Sequence, residues 1–256
     1  MPQDSKIDNI NEQDIHNYEQ VKALLGEAAL LPDDVAKLYS LHQQIIGEHL
    51  ATKGQKIASF LLHGVCLRHL VLGTLSLFRI HTSQIFQETR MALEASATAY
   101  AILHDEEKLK IFLADTGGDD KTRRAAKKAF KPENIFPYDH PLLKQLSNSY
   151  NLAAQVSHTN LLSLARHFGD RQRKTVRFVF QDVPEASAKV DLPRYLDWLL
   201  AAHLTILALA DQIFESVACD LATFKKERLL VYQRCGRLKV THDQAISKLE
   251  QLSKSP

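Results

Sequence analysis

The sequence predicts an all-α fold, a multi-helix bundle with one small β-hairpin or strand near residues 174–190. Three observations lead there. Apolar residues recur at the helical 3.6-residue spacing over nearly the whole chain, and proline, glycine and acidic residues stand where such helices would begin and end. Three apolar stretches, Ile57 to Phe78, Met91 to Leu103 and Trp198 to Ala210, are too long for strands and read as core helices. With 256 residues, 45% apolar and 24% charged, the chain is long enough to bury a substantial core and too apolar to be disordered throughout.

The elements follow in order. A first helix fits Asn11 to Leu30 and ends before Pro32. Pro32-Asp33-Asp34 opens a second, with proline in the first turn and acids where the helix dipole favours them, running to about Thr52. Gly54 separates it from the apolar helix 56–79. Thr82 or Ser83 is placed to cap the next, whose row Ile85, Phe86, Thr89, Leu93, Ser96, Tyr100, Leu103 has the helical repeat. A short helix from Glu106 to Ala114 stops at Gly117-Gly118. Asp119 and Asp120 cap a basic amphipathic helix to about Phe130, Pro132 to Pro137 reads as loop, and a long helix runs from Pro141 to Gly169. The alternation of Val176, Phe178 and Phe180 within Thr175 to Phe180 breaks the helical pattern and marks the strand. Pro193 opens the last apolar helix to about Cys219, continuing as Ala222 to Cys235 before Gly236 stops it. Thr241-x-x-Gln244 is a capping box for a terminal helix. The division expected is an acidic N-terminal helical hairpin over 1–53 packed on a bundle domain over 54–256.

Charge is uneven along the chain. Residues 1–53 hold nine Asp or Glu against four Lys, so an acidic segment facing basic surface in the same chain or a neighbour is expected. The three cysteines, Cys66, Cys219 and Cys235, are odd in number and widely spaced, which points to free thiols in a reducing compartment. Met1 to Lys6 is polar and lacks the apolar core of a secretory signal, so the expected location is cytoplasmic. Ile57 to Phe78 is long enough to span a bilayer, but Arg68 near its centre would cost about 2.5–3.5 kcal/mol there. No membrane partner is expected.

The ionisable residues inside the apolar stretches are the site candidates, because a buried charge or imidazole is costly without a polar partner. Arg90 and Glu94, four apart on one helix, can pair directly. Glu94 is the lone formal charge from Met91 to Leu103, and Arg68 on the preceding helix is the natural second donor to it. His158, in Ser157-His158-Thr159-Asn160, interrupts the apolar row of the long helix and, with Asn160, is a candidate ligand donor or acid/base beside that pair. His63-x-x-Cys66-x-x-His69 has a metal-like spacing, yet on a helix its two histidines stand about 120° apart, so core packing is the expected role and no metal is expected. No cofactor fingerprint is visible: phosphate loop, dinucleotide glycines, HExxH and serine elbow are all missing.

Basic residues cluster at Lys121, Arg123, Arg124, Lys127, Lys128 and Lys131, at Arg166 to Arg177, and at Lys225 to Lys239. Of these, Arg123, Arg124, Lys127 and Lys128 are the candidate RNA-contacting set, and a second copy of the chain is the other partner left open.

The string Arg90-Met-Ala-Leu-Glu94 in an apolar helix, followed one long helix later by His158 and Asn160, resembles uncharacterised bacterial helical-bundle families and, more distantly, HEPN-type proteins. That resemblance implies a helical bundle, often dimeric, that in many members acts as a metal-independent ribonuclease of toxin or defence systems through an Arg-x(4–6)-His motif. Arg237-x4-His242 has this spacing, with Leu238 where the family commonly has a polar residue. Two readings therefore stand. One is a non-enzymatic helical binding module whose polar centre of Arg68, Arg90, Glu94, His158 and Asn160 holds a small anionic ligand. The other is a HEPN-like ribonuclease using Arg237 and His242. Whether any catalysis occurs stays open at the level of sequence.

Overall fold

The computed structural model describes residues 6–50, 54–115, 119–137, 139–157, 169–170, 175–176, 186–215 and 220–252. The fold is all-α. Helix α1 (Lys6–Leu25) leads through a 3-10 turn (Gly26–Leu30) into α2 (Leu31–Gly47), and α3 (Gly54–Phe78) and α4 (Thr82–His104) form a long antiparallel hairpin. Three shorter helices follow, α5 (Glu106–Asp115), α6 (Asp120–Ala129) and α7 (Pro132–Ile135), and then α8 (Pro141–Ser157), α9 (Ala186–Phe214) and α10 (Ala222–Leu252).

Helix α4 is the centre. It packs against α3, α5, α7, α8 and α9, and its buried positions are dominated by small side chains: Ala92, Ala95, Ser96, Ala97, Ala99 and Ala101. Small residues let neighbouring backbones come close, and α3 uses that room. Ser59 Oγ donates to the Ala99 carbonyl at 2.9 Å and Cys66 Sγ to the Ala92 carbonyl at 3.3 Å, while a Cβ at Gly73 would lie 3.6 Å from that of Glu88. Ser59, Cys66 and Gly73 recur every seven residues, the spacing that keeps one seam of a helix facing an antiparallel neighbour. Near the end of this seam His69 Nδ1 and Glu88 Oε2 lie 2.7 Å apart, both nearly buried.

The turn between α3 and α4 is tight. The His81 amide donates to the Ser76 carbonyl at 2.8 Å and the Ile80 amide to Leu77 at 3.0 Å, the paired bonds of a Schellman motif. The position that glycine usually takes in this motif is held by Ile80, with φ of 63°. A β-branched residue in the left-handed region costs on the order of 1–3 kcal/mol. The side chain repays this through burial, being 2% exposed within the main core cluster. Helix α1 braces the same turn: Asn17 Nδ2 donates to the Arg79 carbonyl at 3.3 Å, and His81 Nε2 lies 3.0 Å from Asp14 Oδ1.

Several sequence expectations are corrected. Thr82 begins α4 rather than capping it; the N-cap is His81, without a side-chain cap bond, because residues 79–81 are already committed to the Schellman turn. Residues 132–135 are helical, since Pro132 stands at a first-turn position where its missing N–H costs nothing. Helix α9 begins at Ala186, so Pro193 sits inside it rather than opening it. Helix α10 runs through Gly236 and Thr241 without a break, so neither a glycine stop nor a capping box operates there. The hairpin expected near 174–190 is not seen: among the described residues extended backbone amounts to Gly169 opposite Val176 and Asp170 opposite Thr175, and residues 171–174 and 177–185 lie outside them. Asp119 does cap α6, accepting from the Thr122 amide at 2.9 Å.

The strained turn yields a prediction. Ile80→Ala and Ile80→Gly both lose the buried side chain, at about 2–5 kcal/mol. Only glycine also relaxes the left-handed backbone, so Ile80→Gly is expected to be about 1 kcal/mol more stable than Ile80→Ala in chemical denaturation. An alanine variant as stable as the glycine variant would show that the turn is not strained.

Candidate functional site

The predicted polar centre and the most deeply buried polar cluster stand at different places in the bundle. The Arg90–Glu94 pair forms within α4, with Nε to Oε1 at 3.1 Å and the two side chains 28% and 31% exposed. It is half-buried at the α4–α8 seam rather than enclosed. Its third member is Tyr150 of α8, whose ring lies 5.3 Å from the Arg90 guanidinium carbon. Burial, followed by the nearby Glu94 carboxylate, raises the Tyr150 hydroxyl above its ordinary range. Burial acts against the charge of Arg90, but Glu94 and Tyr150 together outweigh it and raise its pKa. Arg68 is not the second donor. It lies on the exposed side of α3, away from the Cys66 row that meets α4, because two positions on from Cys66 a helix has turned through about 200°. His158 and Asn160 lie outside the described residues, so the predicted centre reduces to Arg90 and Glu94 with Tyr150 added.

The truly buried polar cluster lies elsewhere, where α2, α3, α9 and α10 meet. Tyr39 and His42 of α2 fall on the buried row Val35, Tyr39, His42, Ile46. The Tyr39 hydroxyl and His203 Nδ1 of α9 share a hydrogen bond of 2.9 Å, and His63 of α3 lies between Tyr39 and His42, tilted to the first and edge-on to the second, with both ring centroids at 4.8 Å. Phe214 and Phe224 close the far side of His42 at 5.6 and 4.7 Å. Neither nitrogen of His42 has a hydrogen-bond partner, nor does Nε2 of His63 or of His203. Burial among rings disfavours the imidazolium, so His42 is pushed down to about 4, helped by the charge of Arg228, and His203 to about 3. His63 is also held well below its usual range by burial and then by its two imidazole neighbours. The same burial drives the Tyr39 phenol and Cys66 thiol upward, so neither ionises near neutrality. These groups are neutral, and among the described residues no three or more His, Cys, Asp or Glu side chains are arranged to hold a metal. His63 and Cys66 are core residues as expected, whereas His69 is engaged by Glu88.

No known protein family, curated protein or solved structure matches the chain.

The outer side of this same junction is an open groove of about 430 Å³ between α2 and α10. Leu38, Leu41, Leu230 and Val231 form its floor, and Asp34, Lys37, Glu227, Arg234 and Arg237 its rim. The two helices are tied by an ion pair between Arg234 and Asp34, which is the acidic N-terminal segment meeting the basic C-terminal one. Helix α10 also packs Val231, Cys235 and Leu238 against the core. Over its first turns only Phe224 is buried, and Arg228 reaches the buried Asp211 of α9 at 3.3 Å, with Lys225 at 4.0 Å. Burial raises Asp211, partly offset by these two cations. Leu229, Leu230 and Tyr232 stay 55%, 48% and 64% exposed.

The remaining candidates are placed as follows. Arg237 is exposed on α10 and lines the groove. His242 is five positions further along the same unbroken helix, and its side chain lies outside the described residues; two such positions stand about 140° apart around a helix axis. Arg123, Arg124, Lys127 and Lys128 are exposed on α6, with Arg123 3.7 Å from Asp120. Sequence reasoning missed Tyr39, His42, the His69–Glu88 pair and the Asp211–Arg228 link. The signal for His42 was present, since it occupies a core slot in the periodic row of α2.

The neutral histidines make stability depend on pH. Their folded pKa values lie below the unfolded value near 6.5, so between those limits the unfolded chain binds more protons. Stability is therefore full above about pH 6.5 and falls on acidification toward pH 4, by about 1.4 kcal/mol per pH unit for each such histidine. His42→Phe, which keeps an aromatic ring and removes two unpartnered nitrogens, is expected to flatten the melting-temperature profile between pH 6.5 and 4. An unchanged profile in that variant would remove His42 from the account.

Proposed function

We propose that the chain is a non-enzymatic helical binding module whose docking site is the groove between α2 and α10. The observation that carries the reading is a leucine and valine floor left open beneath a charged rim, in the groove between α2 and α10. Such a groove suits the apolar face of an amphipathic helix, with the rim setting register. Lys37 and Arg234 both reach Asp34 on the rim, and Glu227 and Arg237 flank them, so a segment whose polar side carries both carboxylate and cationic groups matches it. The Arg90–Glu94–Tyr150 group is a weaker candidate for an anion, because Glu94 already neutralises Arg90 at 3.1 Å.

The neutral imidazoles behind the groove suit this reading better than acid/base chemistry. Held neutral by burial, they are too weakly basic to take up a proton readily at pH 7, and Phe214 and Phe224 pack over His42. A second reading, a HEPN-like metal-independent ribonuclease, draws on Arg237 lining the groove. Its two motif positions lie about 140° apart on one helix, so a shared site would need His242 of a second copy.

A titration followed by NMR decides between them. An amphipathic peptide with both carboxylate and cationic groups on its polar side is expected to shift resonances of Leu38, Leu41, Leu230 and Val231, and Leu230→Asp, at an exposed position, to weaken binding at least ten-fold. A groove that stays silent sinks the binding module. RNA cleavage without added metal, lost in His242→Ala, would establish the ribonuclease instead.

A further inference from the structure

Helix α3 has an open apolar face. Its most apolar 18-residue window has mean hydropathy 1.5 and is 33% buried, against 67% for the comparable window of α9, although both helices are long and apolar enough to cross a membrane. Ile57, Leu61, Val65 and Val71 are 39%, 63%, 37% and 46% exposed, at spacings that place them on one side of the helix. Arg68 lies among them, and Met91 of α4, 43% exposed, stands on the neighbouring helix. The opposite side of α3 is committed to the core, with Cys66, Leu70 and Leu77 at most 1% exposed. Spanning a bilayer would tear that side out, so the exposed side can meet an apolar phase only from the surface.

We propose that this face of α3 lies flat on an anionic lipid surface, with its apolar row in the acyl boundary and its basic residues among the headgroups. Charge selects the occupant. From Gly54 to Phe78 there is no acidic residue; the formal charges are Lys56 and Arg68, and exposed Arg79 follows directly. A long arginine on an apolar face extends its guanidinium to the headgroups while its stem stays in the apolar layer. A second copy fits less well. Self-pairing would bring an Arg68 from each chain into an apolar contact, and the neighbouring carboxylates of α4 are already engaged, Glu88 by His69 at 2.7 Å and Glu94 by Arg90 at 3.1 Å. The proposal reverses the expectation that α3 is simply a core helix, because the half of it carrying Arg68 is not in the core.

The test is flotation of the full chain with vesicles of phosphatidylcholine alone and of phosphatidylcholine with phosphatidylglycerol. Binding is expected with the anionic vesicles only, weakening as salt rises. The double variant Leu61→Asp, Val65→Asp changes exposed positions and is expected to keep the wild-type thermal melt while losing flotation. Arg68→Gln, a milder change, is expected to weaken binding about five-fold. No flotation with anionic vesicles, or undiminished flotation of the double variant, would overturn the proposal. So would light scattering that finds a wild-type dimer which the double variant disperses, since the face would then belong to a second copy.

Discussion

The close approach of α3 and α4 is the constraint on which the rest of the bundle depends. Because Ser59, Cys66 and Gly73 present little bulk at seven-residue intervals, the two backbones come near enough for side-chain donors on one to reach carbonyls of the other. Because α4 is lined with alanine, α8 and α9 can close on its remaining sides, and a helix with so little side chain of its own becomes the centre of the molecule. A leucine at Cys66 would hold α3 off α4 and shift with it His63, which packs on Tyr39 and His42 of α2.

Much of this architecture was legible in the sequence. Helical periodicity located the long helices, and Pro32, Pro141 and Asp119 marked starts that the structure retains to within a residue or two. Failures cluster where local signals met a stronger tertiary demand. Thr82 has the right chemistry for a cap, yet the buried turn at Ile80 fixed the backbone before it. Gly236 and the Thr241 box have the right chemistry for a break, yet α10 continues, because one glycine costs a helix only about 1 kcal/mol.

The site was harder to read, for a physical reason. Composition shows that Arg68 interrupts an apolar run, but it does not say which third of the helix surface meets the core. Arg68 and Cys66 are two residues apart and on opposite sides of α3, so one is solvent-facing and the other fully buried. His42 was passed over for the converse reason. It sits in a helix with enough polar residues to seem ordinary, while its row is buried at every position. Glu94 was correctly paired with Arg90, but the ring that completes the group, Tyr150, comes from a helix whose register only the fold supplies.

The peripheral place of α10, packed on α2 and α9, divides the molecule into two tiers of cooperativity. Helix α4 is packed by five other helices, so exchange of its core-facing amides with solvent requires that the bundle as a whole unfold. Those of α10 are protected by its own helical bonds, by the Phe224 anchor, by Val231, Cys235 and Leu238 packed on the core, and by ion pairs of Lys225, Arg228 and Arg234 to α9 and α2. That attachment is weakened by salt and by excursions far smaller than global unfolding, so α10 forms a separate unit of opening. When it lifts, the first interior surface to meet water is the ring cluster of His42, whose unpartnered nitrogens then gain the hydrogen bonds that the closed state denies them.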